Sequence, residues 1–289
     1  MLRSAVPPTV KRVIHTGSRT FGRLTSEARV LPDFLIVGGQ RCGTTSMYRA
    51  LAAHPAVLKA VLHKGVHYFD INYHRGLSWY RGHFPLQRTA RAVAAHTGVT
   101  PLTFESSPYY MYHPLAAGRI AADLPWVRLI VLVRDPVERA YSQHAHEVAR
   151  GFETERDFGR ALALEESRLA GEVERLQADP HHRSHSHQHH AYRQRGEYIR
   201  YLERLTQLFG RNRICVVDSD EFFTNPWKIY DEVLAFLGLP NLGYPVFKRH
   251  NARPRSPMPE ALRAELTEYF EPYDYRLAEW WGREPSWRR

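Results

Sequence analysis

The residues of this chain best equipped for chemistry begin in Phe34–Met47, FLIVGGQRCGTTSM. Small, hydroxyl-bearing and basic side chains follow one another over Gly39, Gln40, Arg41, Cys42, Gly43, Thr44, Thr45 and Ser46. Set between an apolar run and a helix, such a turn aims backbone N–H groups and a helix dipole at one point, which suits a phosphate. Gly38, four residues and Gly43 have Walker A spacing, but Thr44 stands where that loop carries its lysine. In a P-loop nucleotidase that lysine reaches the β- and γ-phosphates, so its absence argues against ATP or GTP hydrolysis. Arg41 supplies a positive charge inside the loop instead.

A second group pairs Arg134, at the end of the apolar run Val127–Val133, with Ser142 about two helical turns on. Arg134 can grip a phosphate through charge-assisted hydrogen bonds or close a strand-end salt bridge with Asp135 or Glu138. His63–Asp70 (HKGVHYFD) offers Lys64, His67 and Asp70, and Leu102–Glu105 delivers Glu105. His67, with an unperturbed pKa near ~6.5, suits a general base. Arg249 and Arg253, in the basic loop Lys248–Arg255, are either phosphate contacts or a solvated charge run. Trp79, Tyr80, Tyr109 and Tyr110 can stack on a sugar or pack a core. Asp179–His190 contains six histidines; without regular ligand spacing it reads as a mobile surface loop bordering an acceptor cleft rather than a Zn²⁺ or Ni²⁺ site.

The elements that must hold these residues alternate. Strands are expected at Phe34–Val37, Leu102–Glu105, Val127–Val133 and Ile214–Val217, with helices after Ser46 and over 114–124, 137–145, 158–177, 198–209, 226–237, 259–270 and 275–281. That alternation implies an α/β fold with a central, mainly parallel sheet flanked by helices, as in a P-loop-like three-layer sandwich. Ligands in such sheets bind beyond the carboxyl ends of the strands, where Gly39–Thr45, Glu105–Tyr110 and Arg134–Ser142 all fall.

Three motifs in this order, GGQRCGTTS, HKGVHYFD and RDPVERAYSQH, resemble those of the sulfotransferases that use 3′-phosphoadenosine 5′-phosphosulfate, nearest the heparan-sulfate-type and bacterial carbohydrate branch. FESSPYY, VVDSDEFFTNP and RHNARPR also fit, so the resemblance runs from Asp33 to the C-terminus. It implies a 5′-phosphosulfate loop over Gly39–Ser46, a 3′-phosphate site at Arg134 and Ser142, and closure over the donor by Arg249 and Arg253. No metal is implied. The sequence departs from the family twice: the loop lysine is Arg41, and the glutamate base is Gly65. His67 is the favoured replacement base, with Glu105 and Asp70 as alternatives; Lys64 could meet the bridging oxygen or the substrate. Arg41 and the loop amides are expected to stabilise the leaving phosphate.

At 289 residues with net charge +10 the chain suits anionic ligands. One domain over 33–289 is expected, preceded by a poorly ordered basic arm over 1–32 that at most touches anionic lipid. The two cysteines form no disulfide or zinc pattern, and a cytoplasmic setting follows. The acceptor is expected to be a hydroxyl on a carbohydrate or small molecule, with no nucleic-acid partner. Two rival readings are a P-loop-like phosphotransferase and a non-catalytic polyanion-binding protein.

Overall fold

A computed structural model describes residues 22–250 and 256–289. Five strands form one parallel sheet in the order β2-β3-β1-β4-β5. They are β1 (Phe34–Gly38), β2 (Val57–Lys59), β3 (Leu102–Ser106), β4 (Arg128–Val133) and β5 (Ile214–Asp218). Every residue of β1, and all of β4 after Arg128, is buried, as continuous apolar runs are when helices cover both faces. Because β1 lies between β3 and β4, the chain leaves β1 toward one side and later returns on the other. The crevice beyond the ends of β1 and β4 is therefore the natural ligand position.

The principal helices are α1 (Thr44–Leu51), α2 (Gln87–Thr97), α3 (Ala116–Asp123), α4 (Pro136–Arg150), α5 (His185–His189), α6 (Tyr198–Phe209), α7 (Ser219–Thr224), α8 (Pro226–Leu237) and α9 (Glu260–Trp281). In α4 the Asp135 carboxylate caps the N–H groups of Val137 and Glu138, and Pro136 takes the first turn. In α6 the apolar residues Tyr198, Ile199, Leu202, Leu205 and Phe209 recur at helical spacing, and all are buried.

Three expectations need correction. The helix expected over 158–177 is three short ones, Phe158–Ala163, Glu165–Leu169 and Glu172–Ala178, interrupted at Gly171 with φ 71°. The two C-terminal helices are one, α9, which runs through Pro272. Helix α2 was not visible in the sequence because none of its residues is buried, so no apolar stripe marks it.

Of the N-terminal arm, residues 1–21 lie outside the described residues. From Gly22 the chain packs on the domain: Arg29 donates to the Phe84 carbonyl at 2.5 Å and to Thr25 Oγ1 at 2.8 Å. At the other end, Ser286 donates from its backbone N–H and its hydroxyl to Asp218 at 2.8 and 2.9 Å. Asp218 also caps α7. Among the described residues no helix is long and apolar enough to cross a membrane.

Candidate active site

The loop after β1 is pinned from three sides. Gly39 N–H donates to the Leu132 carbonyl of β4 at 2.7 Å, and Cys42 N–H closes a turn on the Gly39 carbonyl at 3.2 Å. Ser219 Oγ at the start of α7 donates to the Cys42 carbonyl at 2.9 Å. Gly43 has φ 83°, and a Cβ there would meet the Phe223 ring and Ser219 Oγ at 3.1 Å, so glycine is needed for conformation and for space. The loop thereby turns the N-terminal end of α1 toward the cavity. Gln40, Arg41, Gly43, Thr44 and Thr45 line it. Cys42 is buried beneath, its Sγ 3.4 Å from Tyr198 Oη. Ser46 is also buried and accepts from His250 N–H at 3.0 Å, so its hydroxyl holds the 248–250 segment rather than the cavity.

Arg134 and Ser142 come together on the other side of the crevice, and both line the same cavity of about 910 Å³. Arg134 lies 3.8 Å from Glu138, a partly exposed pair that leaves the guanidinium facing the cavity. Arg41 reaches across: its Nε donates to Ser142 Oγ at 3.1 Å and a terminal nitrogen lies 3.3 Å from His146 Nδ1. The Arg41 side chain thus joins the loop to α4 while lining the cavity. Arg249 lines the cavity over the Phe223 ring, 4.4 Å from its centroid. Arg253 lies outside the described residues.

Lys64 reaches the first turn of α1 from the segment before His67. Its Nζ donates to Thr44 Oγ1 at 3.1 Å and Thr45 Oγ1 at 3.2 Å. Burial lowers its pKa to about 8, against the opposing charge of Glu105. His67 Nδ1 lies 2.7 Å from Asp70 Oδ2, leaving Nε2 as the second ring nitrogen of a cavity-lining side chain. Burial opposes protonation of that ring, but the contact and charge of Asp70 outweigh it and the pKa is raised. Asp70 thereby orients the His67 ring.

Glu105 is fully buried and does not line the cavity. Its carboxylate accepts from Tyr110 Oη (2.7 Å), Ser107 Oγ (2.7 Å), Val66 N–H (3.1 Å) and Tyr80 Oη (3.4 Å). It fixes the Lys64–His67 segment against β3. Gly65 shows why a glutamate is absent: a Cβ would lie 2.6 Å from the Ser106 carbonyl oxygen and 2.7 Å from Ser107 Oγ.

The backbone adds a second kind of signal. Among the described residues, Arg41 (φ 70°) and His67 (φ 54°) are the non-glycine residues at positive φ. That conformation costs an L-residue about 1–2 kcal/mol and concentrates at functional sites.

The far wall was largely missed from sequence. Arg195, buried against the Tyr109 and Tyr112 rings, donates to Gln40 Oε1 and to the His187 and Gln188 carbonyls. Gln40 Nε2 in turn donates to Glu147 Oε1 at 3.2 Å, whose other oxygen lies 2.9 Å from His189 Nδ1. The histidine tract is thus an ordered wall, not a mobile loop. His187 stacks on Tyr112 at 4.1 Å, and burial pushes its pKa down to about 2. No group of three or more His, Cys, Asp or Glu able to hold a metal is found among the described residues. Of the four candidate stacking aromatics only Tyr109 lines the cavity; Tyr80 and Tyr110 are core. His146 and Arg150 sit four and eight residues after Ser142 on α4, a spacing that would have found them; Glu147 lies off that stripe. Nothing local marks Arg195.

Residues 31–249 match the family model described as Sulfotransferase domain. The human bifunctional heparan sulfate N-deacetylase/N-sulfotransferase 3 is 29% identical over 224 residues, 74% of this chain and 23% of that protein. The human heparan sulfate glucosamine 3-O-sulfotransferase 6 is 27% identical over 285 residues, 90% of this chain and 74% of that protein. The chain thus spans about a quarter of the first relative's length. The crystal structure of a sulfotransferase from Alicyclobacillus acidocaldarius superposes with a TM-score of 0.67 at 29% identity, covering 90% of this chain and all of that one.

Proposed function

The chain belongs to the sulfotransferase domain family, and from that premise we propose that it passes a sulfuryl group from 3′-phosphoadenosine 5′-phosphosulfate to a hydroxyl of a carbohydrate or glycosylated metabolite. The observation that carries this reading is that two separate groups of basic and hydroxyl side chains line one cavity. The first turn of α1 with Lys64 forms one, and Arg134 with Ser142 forms the other. A donor with a 5′-phosphosulfate and a 3′-phosphate needs both; a nucleoside triphosphate needs a contiguous one and a metal.

In the reaction, the acceptor oxygen forms a bond to sulfur as the bond from sulfur to the bridging phosphate oxygen breaks. His67 Nε2 takes the acceptor proton, and Asp70 steadies the imidazolium that results. The electron pair of the broken bond stays on the phosphate oxygen, so the cavity needs positive charge there and no change of metal ligation. The far wall of Gln188, His189 and Arg195 with Tyr109 offers planar polar groups and a ring edge suited to a sugar.

The test has two arms. Adenosine 3′,5′-bisphosphate without Mg²⁺ should raise the melting temperature, and ATP–Mg²⁺ should not match it. Labelled donor offered with a panel of desulfated saccharides should label at least one of them. Stabilisation by ATP–Mg²⁺ equal to that by the bisphosphate would favour the phosphotransferase.

A further inference from the structure

Resting on that reading of the donor, we infer that the segment after α9, with its turn over Ser286–Arg288, sets the spacing between the two basic groups of the cavity. Ser286 and Trp287 are then positioning residues for donor binding, although they lie outside the family match over 31–249. Three sets of contacts carry the assignment.

The first set leads to the donor loop. Asp218, at the end of β5, is fully buried. Its carboxylate accepts from the Asp220 and Glu221 N–H groups at 3.0 and 3.2 Å, and from Ser286 N–H and Oγ at 2.8 and 2.9 Å. Two of the four donors that satisfy this buried charge therefore come from beyond α9. The next residue, Ser219, holds the Cys42 carbonyl at 2.9 Å, and Phe223 closes over Gly43 one turn later. Where α7 sits, the donor loop sits.

The second set leads to both sides of the crevice at once. The Trp287 ring lies 6.4 Å from the Tyr198 ring, within the range of aromatic pairs. The buried Tyr198 hydroxyl donates to the Arg134 carbonyl at 2.9 Å and lies 3.4 Å from Cys42 Sγ. One ring thus ties Arg134 to the loop after β1, and Trp287 braces it. Trp287 is itself fixed by Nε1, which donates to Asp274 Oδ2 of α9 at 2.8 Å.

The third set holds the segment on the same helix. Glu221 of α7 pairs with Arg283 at 2.8 Å and with Arg289. These partly exposed pairs are weak alone, but they act in the same direction as Ser286. Every set ends on α7 or Tyr198, the two supports of the donor site. Shifting those supports changes the distance between the two basic groups and leaves each group's own side chains in place. A ligand with two phosphates gains from correct spacing, because its second contact is intramolecular; a ligand with one phosphate does not.

The test uses the full chain and calorimetric affinities for adenosine 3′,5′-bisphosphate and adenosine 5′-monophosphate. Ser286→Pro removes both donors to Asp218, and Pro285 before it already has the extended backbone (φ −67°, ψ 155°) that a residue preceding proline requires. Trp287→Leu removes the ring; Trp287→Phe keeps one against Tyr198. Wild type should prefer the bisphosphate by at least about 10-fold. Ser286→Pro and Trp287→Leu should weaken the bisphosphate about 10-fold and the monophosphate less than about 2-fold, whereas Trp287→Phe should stay near wild type. Melting temperatures establish that the variants fold; should Ser286→Pro not fold, Ser286→Ala is read in its place, with a smaller drop of about 3-fold. A preference that persists in folded Ser286→Pro and Trp287→Leu, or an equal loss for both ligands, overturns the inference alone. A wild type without the preference overturns the two-phosphate donor reading, and the inference with it.

Discussion

His67 and Gly65 are two residues apart. Gly65 has no room for a side chain, whereas the His67 imidazole lines the cavity with its Nδ1 on Asp70, and the proposed reaction makes that ring the base. Replacing His67 with Ala should lower kcat by about 10²–10⁴-fold while leaving bisphosphate affinity nearly unchanged. The pH dependence follows from sign. A base must be neutral to act, and Asp70 raises the His67 pKa, so kcat/KM rises with pH through a value above the ordinary imidazole one. Asp70→Asn should move that limb to lower pH, read from initial rates between pH 5.5 and 8.5. If the limb stays put in Asp70→Asn, another group titrates. Gly65→Ala should destabilise by about 1–3 kcal/mol in urea unfolding, because the end of β3 must shift. At this scale much was legible: loop, Arg134, Ser142 and His67 lie in contiguous motifs. For Glu105 the sequence leaves base and orienting group open, because it shows a carboxylate's position along the chain, not the four donors around it.

Helix α5 shows what an element contributes beyond its residues. It is short, capped by Ser184, and held by Arg195 through two carbonyls and by the Tyr109 hydroxyl, 2.8 Å from His187 Nδ1. Burial and the nearby Arg195 hold the His187 pKa well below the ordinary imidazole value, which favours the neutral ring against Tyr109 and Tyr112. Arg195→Met removes the donor to those carbonyls and to Gln40 Oε1. It should cost about 2–4 kcal/mol of stability and raise the acceptor KM more than the donor KM, measured by denaturation and steady-state kinetics. The sequence could not show this wall, because each contact joins segments far apart in the chain, and a run of histidines carries no periodic apolar signal. The strands, by contrast, were visible as uninterrupted apolar runs. The breaks at Gly171 and the continuity through Pro272 were not, because tertiary packing overrides local propensity.

Across the whole molecule, charge and topology converge on one crevice. A net charge of +10 and a cavity lined by Arg41, Lys64, Arg134, Arg150, Arg195 and Arg249, against Glu147, draw anions to the switch point beside β1. Bisphosphate affinity should therefore fall several-fold between about 50 and 500 mM NaCl, as screening shortens the reach of these charges, and calorimetry at two salt concentrations checks it. The sheet class and the place of the crevice were readable from the alternation of strands and helices; the order that puts β1 between β3 and β4 depends on pairings no local pattern encodes. The positive-φ backbone of Arg41 and His67 carries a last consequence, one of selection. A variant library sorted only for foldedness should drift toward Gly or Asn at positions 41 and 67, relieving strain. The same library sorted for turnover should refuse both changes, so the gap between the two populations would map where this chain gives up stability for work.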